Sequence, residues 1–356
     1  MLKNKIEKKN SVGLIDTHCH LNFRDFKDDA DEVITRTLEA GVWLVNVGAQ
    51  YSTSRRAVEY AEKYARSGSD GVWAAIGLHP VHLFDRVGEE DKDLPRKISR
   101  EEFNYDKYLE LAANDRVVAI GEVGLDYHHF DCDQKTDFQI CRREVKEIIE
   151  RQKKVFREFI KLAGEVNKPL IIHSWNADKK DKELVDGAVA YEDILEIIHS
   201  LQFPVSGDGE NKKAYNSQNV DQNNSSERKS DAGDTLNSDL QTGECKPRIR
   251  PRGVIHSFIG NYKMAQKFIQ EGFLIGLNGI ITYSDSYNRL VREIGLENII
   301  LETDAPYLTP APLERYRRNE PLNILWVARK IAAILDVSLE TVAQQTTANA
   351  RRLFRI

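Results

Sequence analysis

The sequence contains eight short apolar runs, and segments with helical patterning separate them. Most runs are rich in β-branched residues and do not alternate with polar residues, which is typical of strands covered on both faces. The predicted strands are 12–15, 42–47, 72–76, 117–120, 170–172, 254–255, 273–277 and 299–301. Eight strands that alternate with helices favour a (β/α)8 TIM barrel, and a doubly wound open sheet is the competing architecture.

The segments between the runs have apolar residues at helical spacing. The predicted helices are 28–40, 52–66, 101–114, 137–166, 191–201, 262–270 and 287–294, and two closing helices cover 322–335 and 339–354. Asp28 and Ser52 are the predicted N-caps of the first two helices, and Gly41 is predicted to follow the first helix directly.

The domain organisation follows from shifts in composition along the 356 residues. We predict one barrel domain over 12–356, with a flexible tail over 1–11. Residues 207–243 are rich in Asn, Ser, Asp and Gln and have almost no apolar periodicity, so we predict a disordered insertion there. The basic run 246–252 follows this insertion. A solvated linker is the favoured interpretation of the run, and contact with a polyanionic substrate is the alternative.

Charge, cysteine content and hydropathy restrict the class of protein. The net charge of −5 argues against a broad nucleic-acid-binding surface but allows a nuclease with a small basic patch. The four cysteines have no CxxC spacing and favour a reducing compartment. We find no signal-peptide pattern, and no apolar run approaches the roughly 20 residues of a membrane span. We expect a cytoplasmic protein without membrane contact, and nothing implies an obligate protein partner.

Polar side chains that can bind metal ions follow the apolar runs one after another. The candidate ligands are His18 and His20 after the first run, Glu122 after the fourth, His173 after the fifth, His256 after the sixth and Asp304 after the eighth. In a parallel barrel the C-terminal ends of the strands meet at one rim. We therefore expect these six side chains to converge on one site.

Four imidazoles and two carboxylates suit zinc, manganese, magnesium or iron, and a carboxylate can bridge two ions. Six ligands exceed the three protein ligands that a mononuclear catalytic zinc site usually has. We therefore predict two divalent ions, with Mg, Mn and Zn as candidates, and hydrolysis by a water molecule that they activate. Asp304 is the predicted general base, since a carboxylate beside such a water can take its proton.

Other polar residues near the strand ends have two interpretations each. Glu302 shares a face with Asp304 if the strand is regular, and there it could orient a histidine. His79 either contacts the substrate or shapes its loop. Asp126 either supports the site or belongs to a turn. The remaining histidines are predicted to be surface residues, and they are His82, His128, His129 and His199.

Several segments in succession resemble the TatD family of metal-dependent hydrolases, which are amidohydrolase-type barrels. The segments are IDTHCHL at 15–21, GLHP at 77–80, AIGEVGLDYH at 119–128, PLIIHS at 169–174, GVIHSF at 253–258, LETDAPYLTP at 301–310 and NEP at 319–321. The resemblance runs nearly end to end, apart from the tail and the insertion. It implies a TIM barrel, a divalent-metal site and deoxyribonuclease activity on DNA, often exonucleolytic.

The resemblance also implies a role for each ligand. His18, His20 and Asp304 would hold one ion, His173 and His256 would hold the other, and Glu122 would bridge them. One residue departs from the family pattern, because Trp175 stands where the family usually has an arginine. An arginine could bind a phosphate with two hydrogen bonds, whereas tryptophan can stack or donate one. We expect Trp175 to contact the substrate, and it could stack on a base.

We therefore predict a metal-dependent deoxyribonuclease with DNA as its substrate. The alternative is an amide, ester or lactone hydrolase on the same scaffold. Many such enzymes bridge their metals with a carboxylated lysine on the fourth strand, and Glu122 in that place favours the nuclease. A third class is a protein that keeps the barrel only to bind a partner, and the presence of all six candidate ligands argues against it.

Overall fold

The computed structural model describes residues 13–68, 70–91, 94–130, 138–201 and 252–356. The predicted tail over 1–11, the insertion over 207–243 and most of the basic run lie outside these residues. Within the described ranges, every helix is too short or too polar to cross a membrane. The cytoplasmic location and the boundaries of the domain stay predictions.

Eight parallel strands form one nearly closed barrel, in which each strand pairs with its neighbours in chain order. The strands are β1 Leu14–Cys19, β2 Val42–Val47, β3 Val72–Ile76, β4 Val117–Asp126, β5 Leu170–Trp175, β6 Gly253–Ile255, β7 Phe273–Leu277 and β8 Ile299–Leu301. A doubly wound sheet would reverse its strand order at a switch point. The TIM barrel prediction is therefore confirmed.

The barrel closes between β1 and the segment that follows β8. The backbone N–H of Asp304 donates to the carbonyl of His18 at 2.8 Å, and that of His20 donates to the carbonyl of Ala305 at 2.8 Å. The carboxylate of Asp16 accepts from the backbone N–H of Thr303 at 2.9 Å. These bonds fix His18 and His20 beside Asp304, although the residues are far apart in sequence.

Three strands extend beyond the apolar residues from which they were predicted. The predictions ended these strands at residues 15, 120 and 172, whereas β1 continues to Cys19, β4 to Asp126 and β5 to Trp175. Gly124 pairs with His173 and Asp126 pairs with Trp175 in the extended part of the sheet. The apolar pattern stops where polar side chains begin, but backbone pairing continues there. His18, Glu122 and His173 therefore lie inside strands and not in loops, and the pairing register shifts beside His18 and Glu122.

Helices follow the strands around the barrel. They are α1 Ala30–Glu39, α2 Tyr51–Arg66, α3 Tyr105–Ala112, α4 Phe138–Glu165, α5 Ala190–Ser200, α6 Tyr262–Gln270, α7 Tyr287–Ile294, α8 Ile324–Leu335 and α9 Leu339–Phe354. Two strands that were not predicted, Arg86–Asp91 and Leu94–Ile98, pair antiparallel between β3 and α3.

The predicted N-caps of α1 and α2 were wrong by one and two positions. Asp29 precedes α1, and Gln50 precedes α2. Gln50 and Thr53 form a reciprocal capping box, in which each side chain bonds to the backbone of the other residue, and this arrangement fixes the start of α2. Gly41 follows the end of α1 with a φ of 78°, as predicted.

The closing helix α9 covers the barrel at the strand starts. The side chain of Asn349 donates to the carbonyl of Ile299 at 2.8 Å, and the hydroxyl of Thr347 donates to the carbonyl of Gly13 at 2.9 Å. Leu353 and Phe354 pack with buried strand residues in one apolar cluster. The C-terminal strand ends, where the candidate ligands lie, stay open.

Candidate metal centre

Glu122 lies at the centre of the candidate ligands, and its two oxygens face different histidines. Its Oε2 atom lies 3.4 Å from Nε2 of His18 and 3.8 Å from Nε2 of His20. Its Oε1 atom lies 3.0 Å from Nδ1 of His173 and 3.7 Å from Nε2 of His256. The predicted convergence of side chains from β1, β4, β5 and the end of β6 is therefore observed.

Asp304 completes the group on the β1 side. Its Oδ1 atom lies 3.3 Å from Nε2 of His20, and 3.8 Å and 3.7 Å from Nε2 of His18 and His256. Its backbone has a φ of 56°, in the left-handed region that aspartate and asparagine tolerate better than most residues. The side chain is 14% exposed, so water and substrate can reach it.

Two glycines leave space for the carboxylates of the site. A Cβ atom on Gly77, just after β3, would lie 2.6 Å from the backbone nitrogen of Glu122. A Cβ atom on Gly276 would lie 2.5 Å from Oε2 of Glu302. Any side chain at either position would displace a carboxylate that contacts the histidines.

Three of the four histidines present their second nitrogen to an oxygen atom. Nδ1 of His20 lies 2.9 Å from the carbonyl of Val47, and Nε2 of His173 lies 2.8 Å from Oδ2 of Asp126. Nδ1 of His256 lies 3.0 Å from Oε2 of Glu302. Such contacts hold the rings of metal-binding histidines and raise their basicity. The structure thus favours a supporting role for Asp126 and the orienting role for Glu302.

Replacing Glu302 with glutamine is expected to lower metal affinity by about 10–100-fold, because His256 loses its charged partner. A competitive chelator titration measures this affinity directly. The exposed Glu297, which lies just before β8, gives the matched control in the variant Glu297→Gln. Equal metal affinity in Glu302→Gln and Glu297→Gln would contradict the orienting role.

The carboxylates of Glu122 and Asp304 are ionised at neutral pH. Burial raises the pKa of Glu122, but the neighbouring His79 and His18 outweigh it and hold that pKa well below its usual value. Burial likewise raises the pKa of Asp304, and His256 with its neighbours lowers it overall. Burial and the nearby His256 lower the pKa of His18 to about 4, so this imidazole is neutral and can offer a lone pair.

His173 and His256 differ from His18 because carboxylates contact them closely. Burial alone would lower their pKa values. The hydrogen bonds of His173 to Asp126 and Glu122 raise its pKa to about 9. Glu302 and Asp304 raise the pKa of His256 to about 10. A bound cation would take the place of these protons.

The separations between donor atoms agree with the dimensions of a metal site. Two ligand atoms that are each about 2.1 Å from one ion lie about 3.0–3.4 Å apart at angles of 90–110°. Nε2 of His18 lies 3.1 Å from Nε2 of His20, and the other separations around this pair are 3.3–3.8 Å. Donor atoms of His18, His20 and Glu122, and those of His18, His256 and Asp304, lie close enough together to hold a metal ion, whereas His173 groups with His79 and Asp126. The individual roles of the six residues as ligands stay predictions.

The site opens into a cavity of about 470 Å³. Its described lining residues include no lysine or arginine. Trp175 lies in the wall and is 37% exposed, and its ring stacks on His128 with centroids 4.4 Å apart and planes 10° apart. His79 also lines the cavity: its Nδ1 accepts from the backbone of Val81, and its Nε2 lies 3.4 Å from Oε1 of Glu122.

His129 is exposed, as predicted, whereas His82 and His128 are only partly exposed. The prediction of surface residues missed their place beside the site. His82 and His129 line the cavity, and His128 supports Trp175. Nδ1 of His129 lies 2.9 Å from Oδ2 of Asp126. The extension of β4 to Asp126 brings the following histidines to the rim, and the apolar pattern alone did not reveal it. The side chain of His199 is 84% exposed, as predicted.

Sequence analysis also missed Phe23. Its ring stacks on His20 with centroids 4.2 Å apart and planes 18° apart. Phe23 lines the cavity as well. Its position shortly after His18 and His20 was the available signal. The aromatic ring packs on the face of the His20 imidazole, while the carbonyl of Val47 contacts its Nδ1 atom.

Comparisons with known proteins agree with this geometry. The family model described as TatD related DNase matches residues 15–355. The uncharacterized metal-dependent hydrolase YabD of Bacillus subtilis (strain 168) is 32% identical over 346 residues, which cover 96% of this chain and 99% of the relative. Human deoxyribonuclease TATDN3 is 27% identical over 346 residues, which cover 96% of this chain and 95% of the relative.

Solved structures share the fold. The crystal structure of YJJV, a TatD homolog from Escherichia coli K12, matches with a TM-score of 0.63 at 22% identity and covers 98% of this chain and 100% of its own. The family model spans nearly the whole chain, and the relatives match almost end to end. The chain therefore belongs to the TatD family of metal-dependent hydrolases.

Proposed function

We propose that this protein is a deoxyribonuclease that hydrolyses phosphodiester bonds in DNA with two divalent ions, for which Mg, Mn and Zn are the candidates. The observation that carries the proposal is the division of the Glu122 oxygens between two groups of histidines. The proposed ligands of one ion are His18, His20 and Asp304, those of the other are His173 and His256, and Glu122 is shared.

The residues of the chain have separate tasks in this proposal. Bound ions would supply positive charge for the scissile phosphate and would acidify water. Asp304 is the general base, because it is ionised, reaches the cavity and can accept a proton from the attacking water. Glu122 contacts the histidines of both groups and keeps them in position. His79 faces the cavity beside Glu122 and would donate to a phosphate oxygen.

Trp175 supports a nucleic acid substrate in a different way from an arginine. One face of its ring rests on His128, so the ring is held in place while part of it stays exposed. Stacking of a base on an aromatic side chain contributes about 1–3 kcal/mol and tolerates any base sequence. We propose that Trp175 stacks on the base next to the scissile bond. The name of the human relative, deoxyribonuclease TATDN3, gives separate support.

The alternative function is hydrolysis of an amide, ester or lactone. The absence of lysine and arginine from the described cavity wall favours an uncharged substrate. The same wall is compatible with DNA only if metal ions and groups outside the cavity balance the phosphate charge. The two functions can therefore be separated by testing which substrate the protein hydrolyses.

One assay separates the two functions. The protein is incubated with single-stranded and duplex DNA and, separately, with a panel of amides, esters and lactones, in Mg²⁺, Mn²⁺ or Zn²⁺. We expect DNA degradation that stops when the metal is chelated. Turnover of panel compounds without DNA degradation would contradict the nuclease and support the alternative. Metal-dependent turnover of any substrate would exclude a purely binding role.

A further inference from the structure

A second cavity adjoins the candidate metal centre. It has a volume of about 300 Å³ and shares Tyr307 and Leu308 with the first cavity. Three arginines contribute to its wall, and they are Arg315, Arg317 and Arg318. The loop that carries them begins shortly after Asp304. A polymeric substrate that enters the metal centre can therefore extend past Tyr307 into the second cavity.

Two adjacent side chains fix the C-terminal end of the loop. The guanidinium of Arg318 donates to both oxygens of Asp29 at 2.8 Å and 2.5 Å, which ties it to the start of α1. The buried side chain of Asn319 donates to the carbonyls of Thr303 at 3.0 Å and Tyr307 at 2.7 Å. The arginine-bearing loop is thus held at a set position relative to the segment with Asp304.

Arg315 and Arg317 differ from Arg318 because no acidic side chain in the described residues neutralises them. Both are exposed and, in the part of the chain that the structure describes, neither guanidinium takes part in an ion pair. Arg315 lies over the ring of Tyr283, 5.3 Å from its centroid, which limits where its guanidinium can move. Asp25 is the one acidic residue among the described lining residues, and Asp29 neutralises Arg318, so the cavity keeps a positive excess.

We propose that Arg315 and Arg317 form a second phosphate subsite, which binds a backbone phosphate of the DNA strand beyond the scissile one. This inference rests on the proposed nuclease function. The first cavity has no lysine or arginine in its described wall, so the flanking phosphates of a bound strand must be neutralised elsewhere. Arginine suits this task, because its fork of donors matches two phosphate oxygens.

Binding of a short thymidine oligonucleotide with cleavage-resistant phosphorothioate linkages tests the subsite in the metal-loaded protein. The variant R315Q/R317Q is expected to bind it about 10-fold more weakly than the wild type. Its plot of log K against log salt concentration is expected to be shallower by about 1.4, from two lost phosphate contacts at about 0.7 each. The variant R315K/R317K keeps both charges and is expected to keep the salt dependence.

The matched control R143Q/R157Q removes two exposed charges from α4, away from both cavities. It is expected to bind and cleave DNA like the wild type. R315Q/R317Q is expected to raise KM for a cleavable oligonucleotide about 10-fold and to leave hydrolysis of bis(p-nitrophenyl) phosphate, a single diester without flanking phosphates, unchanged. An unchanged rate on this small diester also shows that the variant folds.

Two results would overturn the subsite. One is oligonucleotide binding by R315Q/R317Q with wild-type affinity and salt dependence, and the other is an equal loss of binding in R143Q/R157Q. Failure of the proposed function has a different signature, since the wild type would then hydrolyse neither DNA nor the small diester. The binding measurements still decide on the subsite in that case, because they do not depend on turnover.

Discussion

Replacing Glu122 with glutamine is expected to lower kcat/KM for DNA by on the order of 10³-fold, because the charge of the proposed bridging ligand would contribute several kcal/mol to a metal site of this kind. Each Glu122 oxygen faces its own group of histidines, and the substitution keeps the shape of the side chain while removing its charge. We also expect metal content to fall below the wild-type value. Steady-state kinetics and elemental analysis of the purified variant measure both effects.

The variant Glu147→Gln is the matched control, since Glu147 is exposed on α4 and the same charge is removed. It is expected to match the wild type in activity and metal content. Wild-type activity and metal content in Glu122→Gln would contradict the central position given to this residue. A loss of activity with full metal content would instead contradict its assignment as a ligand shared by two ions.

Replacing Asp304 with asparagine is expected to lower kcat by about 10²–10⁴-fold with a smaller change in KM, as for the loss of a general base. Asparagine is the appropriate substitution because the backbone φ of 56° is one that asparagine tolerates. The fold around β1 and β8 should therefore stay intact. Kinetics at saturating and limiting DNA concentrations separate the two constants.

Circular dichroism gives the control for Asp304→Asn, because the backbone bond from residue 304 to the carbonyl of His18 helps to close the barrel. We expect the same thermal midpoint as the wild type within a few degrees. A variant with wild-type kcat would show that Asp304 is not the base. A variant that loses activity only through KM would assign the carboxylate to substrate binding instead.

Some elements could be predicted to the residue and others could not, for a physical reason. The predicted bounds of β2, β3, β7 and β8 agree with the structure. These strands are apolar except for Asn46 in β2, since both faces are covered. The pattern failed at β4, where backbone pairing continues through Glu122 to Asp126 after the apolar residues end. Polar residues at the end of a strand can be assigned to it only when the strand that pairs with it is known.

The candidate site shows the same limit. The order of histidines and carboxylates along the chain was enough to predict that six of them meet, because parallel strands end at one rim. The contacts between His129 and Asp126, and between Trp175 and His128, depend on how far β4 and β5 extend. That length follows from the pairing of two strands, which the local sequence does not show.

Anomalous diffraction at the manganese edge, from a crystal grown with Mn²⁺, tests the central claim most directly. We expect two peaks about 3.5–4 Å apart on either side of the Glu122 carboxylate, the spacing of two-metal hydrolases. One peak should lie in contact with His18 and His20, and the other in contact with His173 and His256. No peak among these side chains, or manganese bound only elsewhere on the molecule, would contradict the claim.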